Sequence, residues 1–189
     1  MTLFRTVEPA VEPISPAEAK AHLRIDHDSE DTLLSGLIRA AREEVERSIG
    51  LALIEQSWRL ALDRWPRDGR VLLRRTPLRE VLSVTIFDGD GGASVLSPAH
   101  YEFDPLSSPA RLFLANPSEP GATLNGIEID FTAGFGESGT DVPDLLKRAL
   151  LILVAHWYEF RGAFGADAQP VSIPDSYRRL IAAYRAPRL

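Results

Sequence analysis

Apolar positions recur along this chain with two different periods, and the switches between them mark out its elements. Leu33, Leu34, Leu37, Ile38, Ala41, Val45 and Ile49 return every three or four residues, which draws one stripe along an amphipathic helix. Arg39, Arg42, Glu43, Glu46 and Arg47 lie off that stripe. Asp28 or Ser29 is placed to cap this helix, Glu30 and Asp31 stand where its dipole favours negative charge, and Gly50 is placed to end it in a left-handed turn. A shorter helix is predicted just before. Ser15-Pro16-Ala17-Glu18 reads as a capping box with proline at the first helical position, running to about Leu23. Ahead of it, residues 1–14 read as an extended arm, because Pro9 and Pro13 oppose helix and the spacing has no period.

Beyond Gly50 the period becomes two. Trp58, Leu60 and Leu62 share one face of a half-buried strand over 57–63. Further strands are predicted at 70–74, 80–87, 94–96, 101–104, 111–114 and 126–132. Asp88-Gly89-Asp90-Gly91-Gly92 has the residues a hairpin turn needs. The links are short and hold no helices, so the strands pair antiparallel. After residue 142 the helical period returns. Pro143 and Asp144 open a helix running to Arg161 that is apolar on nearly every side and is therefore buried by neighbours in its own subunit or another. Gly162 is expected to stop it, a loop to follow through Pro170, and Pro174-Asp175-Ser176-Tyr177 to open a last short helix. Helices at both ends with strands between imply an α+β fold: a helical bundle from the N- and C-terminal helices with an inserted antiparallel β unit. The expected division is an arm at 1–14, a single domain over 15–161 and a C-terminal loop with a short basic helix at 162–189. Within the domain, helices take 15–50, the β region 51–133 and the buried helix 143–161.

Composition narrows what such a fold does. With 189 residues and 44% hydrophobic, the chain buries a core without a metal or disulfide staple, and its zero cysteines exclude a thiolate nucleophile, a thiolate zinc site and an iron–sulfur site. The first residues lack the apolar run of a secretory signal, and the longest apolar run, Ala149 to Tyr158, is too short to span a bilayer, so no membrane role is expected. The net charge of −6 argues against a whole-surface nucleic-acid binder. That charge is uneven: residues 161–189 carry five Arg against Asp167 and Asp175, net +3, which leaves −9 on the first 160. A basic tail on an acidic body either meets something acidic or is simply solvated. Nineteen of the 21 basic residues are Arg, which suits planar bidentate pairing and equally follows from genomic base composition.

Three stretches invite a chemical reading, and each has a structural alternative. Gly134-Phe135-Gly136-Glu137-Ser138-Gly139 matches the dinucleotide pattern GxGxxG after a strand. Thr140-Asp141-Val142 separates it from the next helix, however, and no parallel strand follows, so an ordinary strand-to-helix loop fits better. Asp26-His27-Asp28-Ser29-Glu30-Asp31 looks like a cation loop, but an EF-hand would need glycine where Asp31 stands and glutamate where Leu37 stands. Capping of the long helix explains the same residues. His156 and Glu159 are spaced i, i+3 in one copy and in the reverse order of a di-iron helix, which leaves His156 as a core or interface histidine. His22, His27 and His100 are scattered, and neither GxSxG nor HExxH occurs. No catalytic residue, cofactor or metal is expected, and the chain does not read as an enzyme.

Taken together, several blocks resemble the phage head–tail connector (adaptor) family, which also occurs in phage-derived gene transfer agents. They are Ser15–Asp31 (SPAEAKAHLRIDHDSED), Ile38–Gly50 with 53–58 (LIEQSW), Thr76-Pro77-Leu78, Phe87–Gly91, 101–104 (YEFD), 131–136 (FTAGFG), Val142-Pro143 and Leu153–Arg161 (LVAHWYEFR). The resemblance implies structural work: a ring, naturally a dodecamer, beneath the portal of a DNA-filled capsid, prolonging its channel and receiving a stopper or tail terminator. It implies a virion or phage-like particle, at the head–tail neck, as the protein's place, with synthesis in the host cytoplasm. Double-stranded DNA would pass through the lumen without sequence-specific binding, and an acidic lining would discourage its phosphates from adhering. The family's portal-contacting segment maps onto Tyr177–Leu189, so Tyr177, Arg178, Arg179, Leu180, Tyr184 and Arg185 are the candidate portal-binding residues, aromatics and Arg being the usual high-energy contacts of interfaces. The alternative is that this helix packs on its own bundle. Rival functions are another neck or tail ring component (a stopper or tail terminator) and, more distantly, a nucleotide-binding enzyme using the Gly134–Gly139 loop.

Overall fold

The structure is a computed structural model that describes residues 1–115, 117–160 and 173–185. Its chain divides into two compact units, Met1–Ala10 with Glu55–Phe135, and Val11–Ile54 with Gly136–Leu189. The first is all β and the second is helical, which makes the fold α+β as expected.

The β unit holds two antiparallel sheets. Five strands lie in the order β1 (Thr2–Val7), β2 (Gln56–Leu62), β8 (Ile127–Ala133), β4 (Leu78–Phe87), β5 (Ala93–Val95), and three in the order β3 (Arg70–Leu73), β7 (Ala110–Phe113), β6 (Glu102–Asp104). Alternation supplies the core: Leu60 sits opposite Ile129, Val84 opposite Ile129 on its other side, and all three are buried. The central register is also fixed by charge. Arg59 lies opposite Asp130 and donates from Nε (2.7 Å) and an η nitrogen (2.9 Å) to its two carboxylate oxygens, and Glu128 takes a third contact at 2.8 Å. The Asp88–Gly92 turn forms as the sequence predicts, with the Asp88 carboxylate accepting N–H bonds from Asp90 (3.0 Å) and Gly92 (2.7 Å).

Residues 2–7 form an edge strand. The prolines do keep this stretch out of helix, but Thr2–Val7 pairs with β2, Leu3 facing Leu60, because extended backbone finds its partners most readily along an open sheet edge. β1 joins strands far along the chain, while residues 11–54 and 136–189 gather helices from both ends.

The helical unit comprises α1 (Pro16–Leu23), α2 (Asp31–Ile49), α3 (Asp144–Phe160) and α4 (Asp175–Ala182). The Ser15 capping box is present: Ser15 Oγ accepts from the Glu18 N–H at 3.1 Å, and Glu18 accepts from the Ser15 N–H at 2.7 Å. Gly50 ends α2 at φ 80°, a conformation that a Cβ would strain. The start of α2 differs from expectation, because Glu30 is the cap residue and makes no side-chain cap bond. Asp28 is drawn away by the Lys20 ammonium (2.5 Å), which also holds Asp31 (2.6 Å), and Ser29 meets the His27 ring at 2.8 Å. Those two carboxylates raise the Lys20 pKa, and Lys20 in turn lowers that of Asp28.

The unit's interior contains a charge. Arg42 is 1% exposed, and it donates to Glu12 from Nε (2.9 Å) and to Glu46 from an η nitrogen (3.1 Å). Glu46 also accepts the Leu53 backbone N–H at 2.8 Å. Burial alone would lower the Arg42 pKa, but the Glu12 hydrogen bond and the Glu46 charge outweigh it and hold the guanidinium above its ordinary value.

Two outcomes follow from these contacts. Arg42→Met should cost on the order of 3 kcal/mol in chemical denaturation, because it leaves two carboxylates without their counter-charge in a buried site; a loss within 0.5 kcal/mol, about the scatter of neutral surface changes, would contradict this. The Glu18 carboxyl pKa is held below its ordinary value by the Ser15 N–H and by Lys147. Its contribution is full above that value and is lost as pH falls through the lower folded value, so Glu18→Gln should flatten the acid limb of a stability–pH curve and leave its slope near neutrality unchanged.

Candidate functional site

α4 carries the residues that the sequence marks for a partner, and the structure separates them into two groups. Tyr177 is 1% exposed and Ile181 fully buried, both within the helical unit, where α4 packs on α2 and α3. Burial pushes the Tyr177 hydroxyl pKa upward. Arg178, Arg179 and Arg185 are exposed, and Leu180 and Tyr184 are half-covered. Arg178 has only a long contact, 3.8 Å, to Asp175. Tyr177 anchors α4 from inside, and what the helix shows outward is a basic edge flanked by Leu180 and Tyr184. Tyr177, Leu180, Ile181 and Tyr184 recur at helical spacing, but only Tyr177 and Ile181, one turn apart, go under. The expected stop at Gly162, the loop to Pro170 and the end of the tail, 186–189, lie outside the described residues.

The glycine-rich loop is committed to its own architecture. Gly134 N–H bonds the Pro77 carbonyl at 2.9 Å. Further on, Ser138 and Asp141 form a capping box around a 3₁₀ turn at Gly139–Asp141, with Ser138 N–H on Asp141 at 3.0 Å and Thr140 N–H on Ser138 Oγ at 3.3 Å. A Cβ at Gly136 would collide with the Asp141 carboxylate, and one at Gly139 would stand 2.7 Å from the Pro13 carbonyl oxygen. These glycines permit close packing. The amides of Gly134, Ser138 and Thr140, which a phosphate cradle would aim at a ligand, are already engaged within the chain.

The acidic loop at 26–31 has its cation, and it is Lys20. Among the described residues no group of three or more His, Asp and Glu converges as a metal site. His156 packs its ring on that of Phe160, centroids 4.8 Å apart and tilted by 59°, while Glu159 points to solvent. No helix among the described residues is long and apolar enough to cross a membrane.

One surface went unmarked in the sequence: the exposed Arg64, Arg67, Arg70 and Arg74 around β3. Their density along the chain was a visible signal. Their lack of ion-pair partners among the described residues was not.

Comparison with known proteins gives the geometry its setting. Residues 15–82 match the model of the phage gp6-like head-tail connector protein family. Over 100% of this chain and 97% of the other, the fold matches a chain from the neck of an empty GTA particle computed with C6 symmetry, with a TM-score of 0.84 and 29% identity. The same values relate it to a chain in the virion of the native gene transfer agent (GTA) particle. A chain in the neck of the native GTA particle computed with C12 symmetry matches at a TM-score of 0.79 and 29% identity, with the same coverage. No curated protein matches the chain. The resemblance to head–tail connectors thus finds support in both sequence and fold: a connector-family match over residues 15–82, and neck chains of gene transfer agent particles over the entire chain.

The division within α4 makes a prediction. Tyr177→Ala should destabilise the chain by about 3 kcal/mol, as expected for emptying a buried aromatic site. Arg178→Glu with Arg179→Glu should stay within about 0.5 kcal/mol of the parent, as exposed changes do. Equal effects in thermal or chemical denaturation would contradict this division.

Proposed function

We propose that this chain is a head–tail connector subunit that assembles as a ring under the portal, extends the DNA channel and joins capsid to tail. The observation that carries this reading is the match of the entire chain to neck chains of particles solved with cyclic symmetry, joined to a connector-family match over 15–82. The C12 symmetry of one such neck favours a dodecamer. The protein's place is the neck of a virion or phage-like particle, its partners further copies of itself, the portal, and a stopper or tail terminator. Duplex DNA passes through the lumen without being read. An acidic chain, net −6, suits that passage, since repeated negative charge weakens phosphate adhesion. A stopper or tail terminator would share this composition, and the connector-family match over 15–82 favours the connector.

Within this reading α4 meets the portal. Tyr177 and Ile181 hold the helix to its own unit, while Arg178, Arg179 and Arg185 pair with portal acids beside Leu180 and Tyr184. Such exposed Arg around partly covered apolar side chains is the usual make-up of an interface. Mixing the purified chain with portal and imaging by negative stain tests the reading: the parent chain should add a ring to one end of the portal. Arg178→Glu/Arg179→Glu/Arg185→Glu should weaken portal binding at least tenfold with folding intact. Undiminished binding would remove α4 from the contact, and no binding by the parent chain would count against the connector role.

A further inference from the structure

In the β unit the arginines fall into two groups. Arg5, Arg59, Arg79 and Arg111 each hold a carboxylate within 2.7 Å, and Arg75 lies over the Trp58 ring at 4.6 Å. Arg64, Arg67, Arg70 and Arg74 are exposed and have no ion pair with any described residue. Residues 64–74 carry these four Arg against Asp68, net +3, so a chain of −6 carries −9 elsewhere. Apolar surface runs among these cations. Leu72 shares a face of β3 with Arg70 and is 42% exposed, and Phe113, opposite Arg70 on β7, is 41% exposed. Arg64, Arg67 and Phe113 also line an open groove of about 720 Å³.

A phosphate backbone would neutralise the arginines but leave Leu72 and Phe113 wet, whereas a protein surface with acids around an apolar spot covers both. The helical unit carries such a surface. Glu137, Asp141 and Asp144 are exposed within eight residues, none of them ion-paired among the described residues, and Leu145 follows at 51% exposure. Of the cations within a turn, Lys147 is taken by Glu18 at 3.0 Å, which leaves Arg148. A cyclic ring needs two different faces on each copy, complementary to one another.

We propose that the arginine face, Arg64, Arg67, Arg70 and Arg74 with Leu72 and Phe113, binds the Glu137–Leu145 surface of the next copy in the ring. This rests on the ring reading above and names the two faces that close the ring. Exposed charges of opposite sign, each without an ion pair among the described residues of its own chain, meet across the joint, and the apolar residues are covered between them.

The absence of native cysteine makes the joint directly testable. Full-length copies bearing Leu72→Cys and differently tagged copies bearing Leu145→Cys are co-assembled into particles and treated with a flexible bismaleimide. Cross-linked dimers carrying both tags are expected, and neither variant alone should give them. Adding Arg70→Glu and Arg74→Glu to the first copy should cut the yield at least tenfold, and Glu137→Arg with Asp144→Arg on the second should restore it. Particles whose necks contain the chain as a ring, yet give no mixed-tag product, would overturn the inference and leave the ring intact. Necks without a ring of the chain would overturn both. Full cross-linking by the Arg70→Glu/Arg74→Glu copies, with loss of duplex DNA held in the neck, would assign the arginines to DNA and overturn the proposal.

Discussion

The helical unit is organised around a buried guanidinium. Arg42 draws in Glu12 from the segment that precedes α1 and Glu46 from one turn further along α2, and Glu46 extends the network to the backbone of Leu53, past the end of that helix. Three stretches of chain therefore share one charge cluster around a guanidinium that is 1% exposed. Buried ion pairs of this kind contribute little net stability against a well-packed apolar alternative, but losing one partner is costly, so the cluster acts chiefly to fix which segments lie together. α3 and α4 pack onto a scaffold that is already in register, and the outward arginines of α4 inherit their position from it.

Much of this was legible in the sequence, for a physical reason. Strands of the β unit alternate buried and exposed residues, and Ile127–Ala133 shows the alternation along its entire length, so the two-residue period in the sequence reports burial directly. The Ser15 box and Gly50 are local devices whose partners lie within a few residues, and both formed as read. What the sequence concealed depends on partners far along the chain. Arg42 sits off the apolar stripe and counts as polar in any periodicity, yet it is buried because Glu12 and Glu46 meet it. Asp28 is a good cap by type, and Lys20 takes it. Thr2–Val7 has no period because only Leu3 and Arg5 turn inward along an edge strand, and the pairing that makes it a strand is with β2.

The candidate site was readable to a similar depth. The basic character of α4 is a property of composition and survives folding. The inward turn of Tyr177 is a property of packing, and a helix of 8 residues is too short for its pattern to declare which apolar residue goes under. The arginines of residues 64–74 were equally visible as residues, but their significance lies in making no ion pair with any described residue, a fact that exists only in three dimensions. The glycine-rich loop shows the converse: its motif is real as spelling, and the amides of Gly134, Ser138 and Thr140 are taken by Pro77, Asp141 and Ser138.

What emerges is a protein that acts through fixed surfaces: a helical unit held by an internal charge cluster, a β unit whose central register is pinned by Arg59 and Asp130, and exposed faces of opposite charge. The location of the chain in an assembled particle tests this most directly. Electron microscopy of particles carrying a tagged copy should show the tag as a closed ring between head and tail, with the C12 symmetry of the matched neck. A tag scattered over the capsid, or missing from particles that still package and eject DNA, would contradict it.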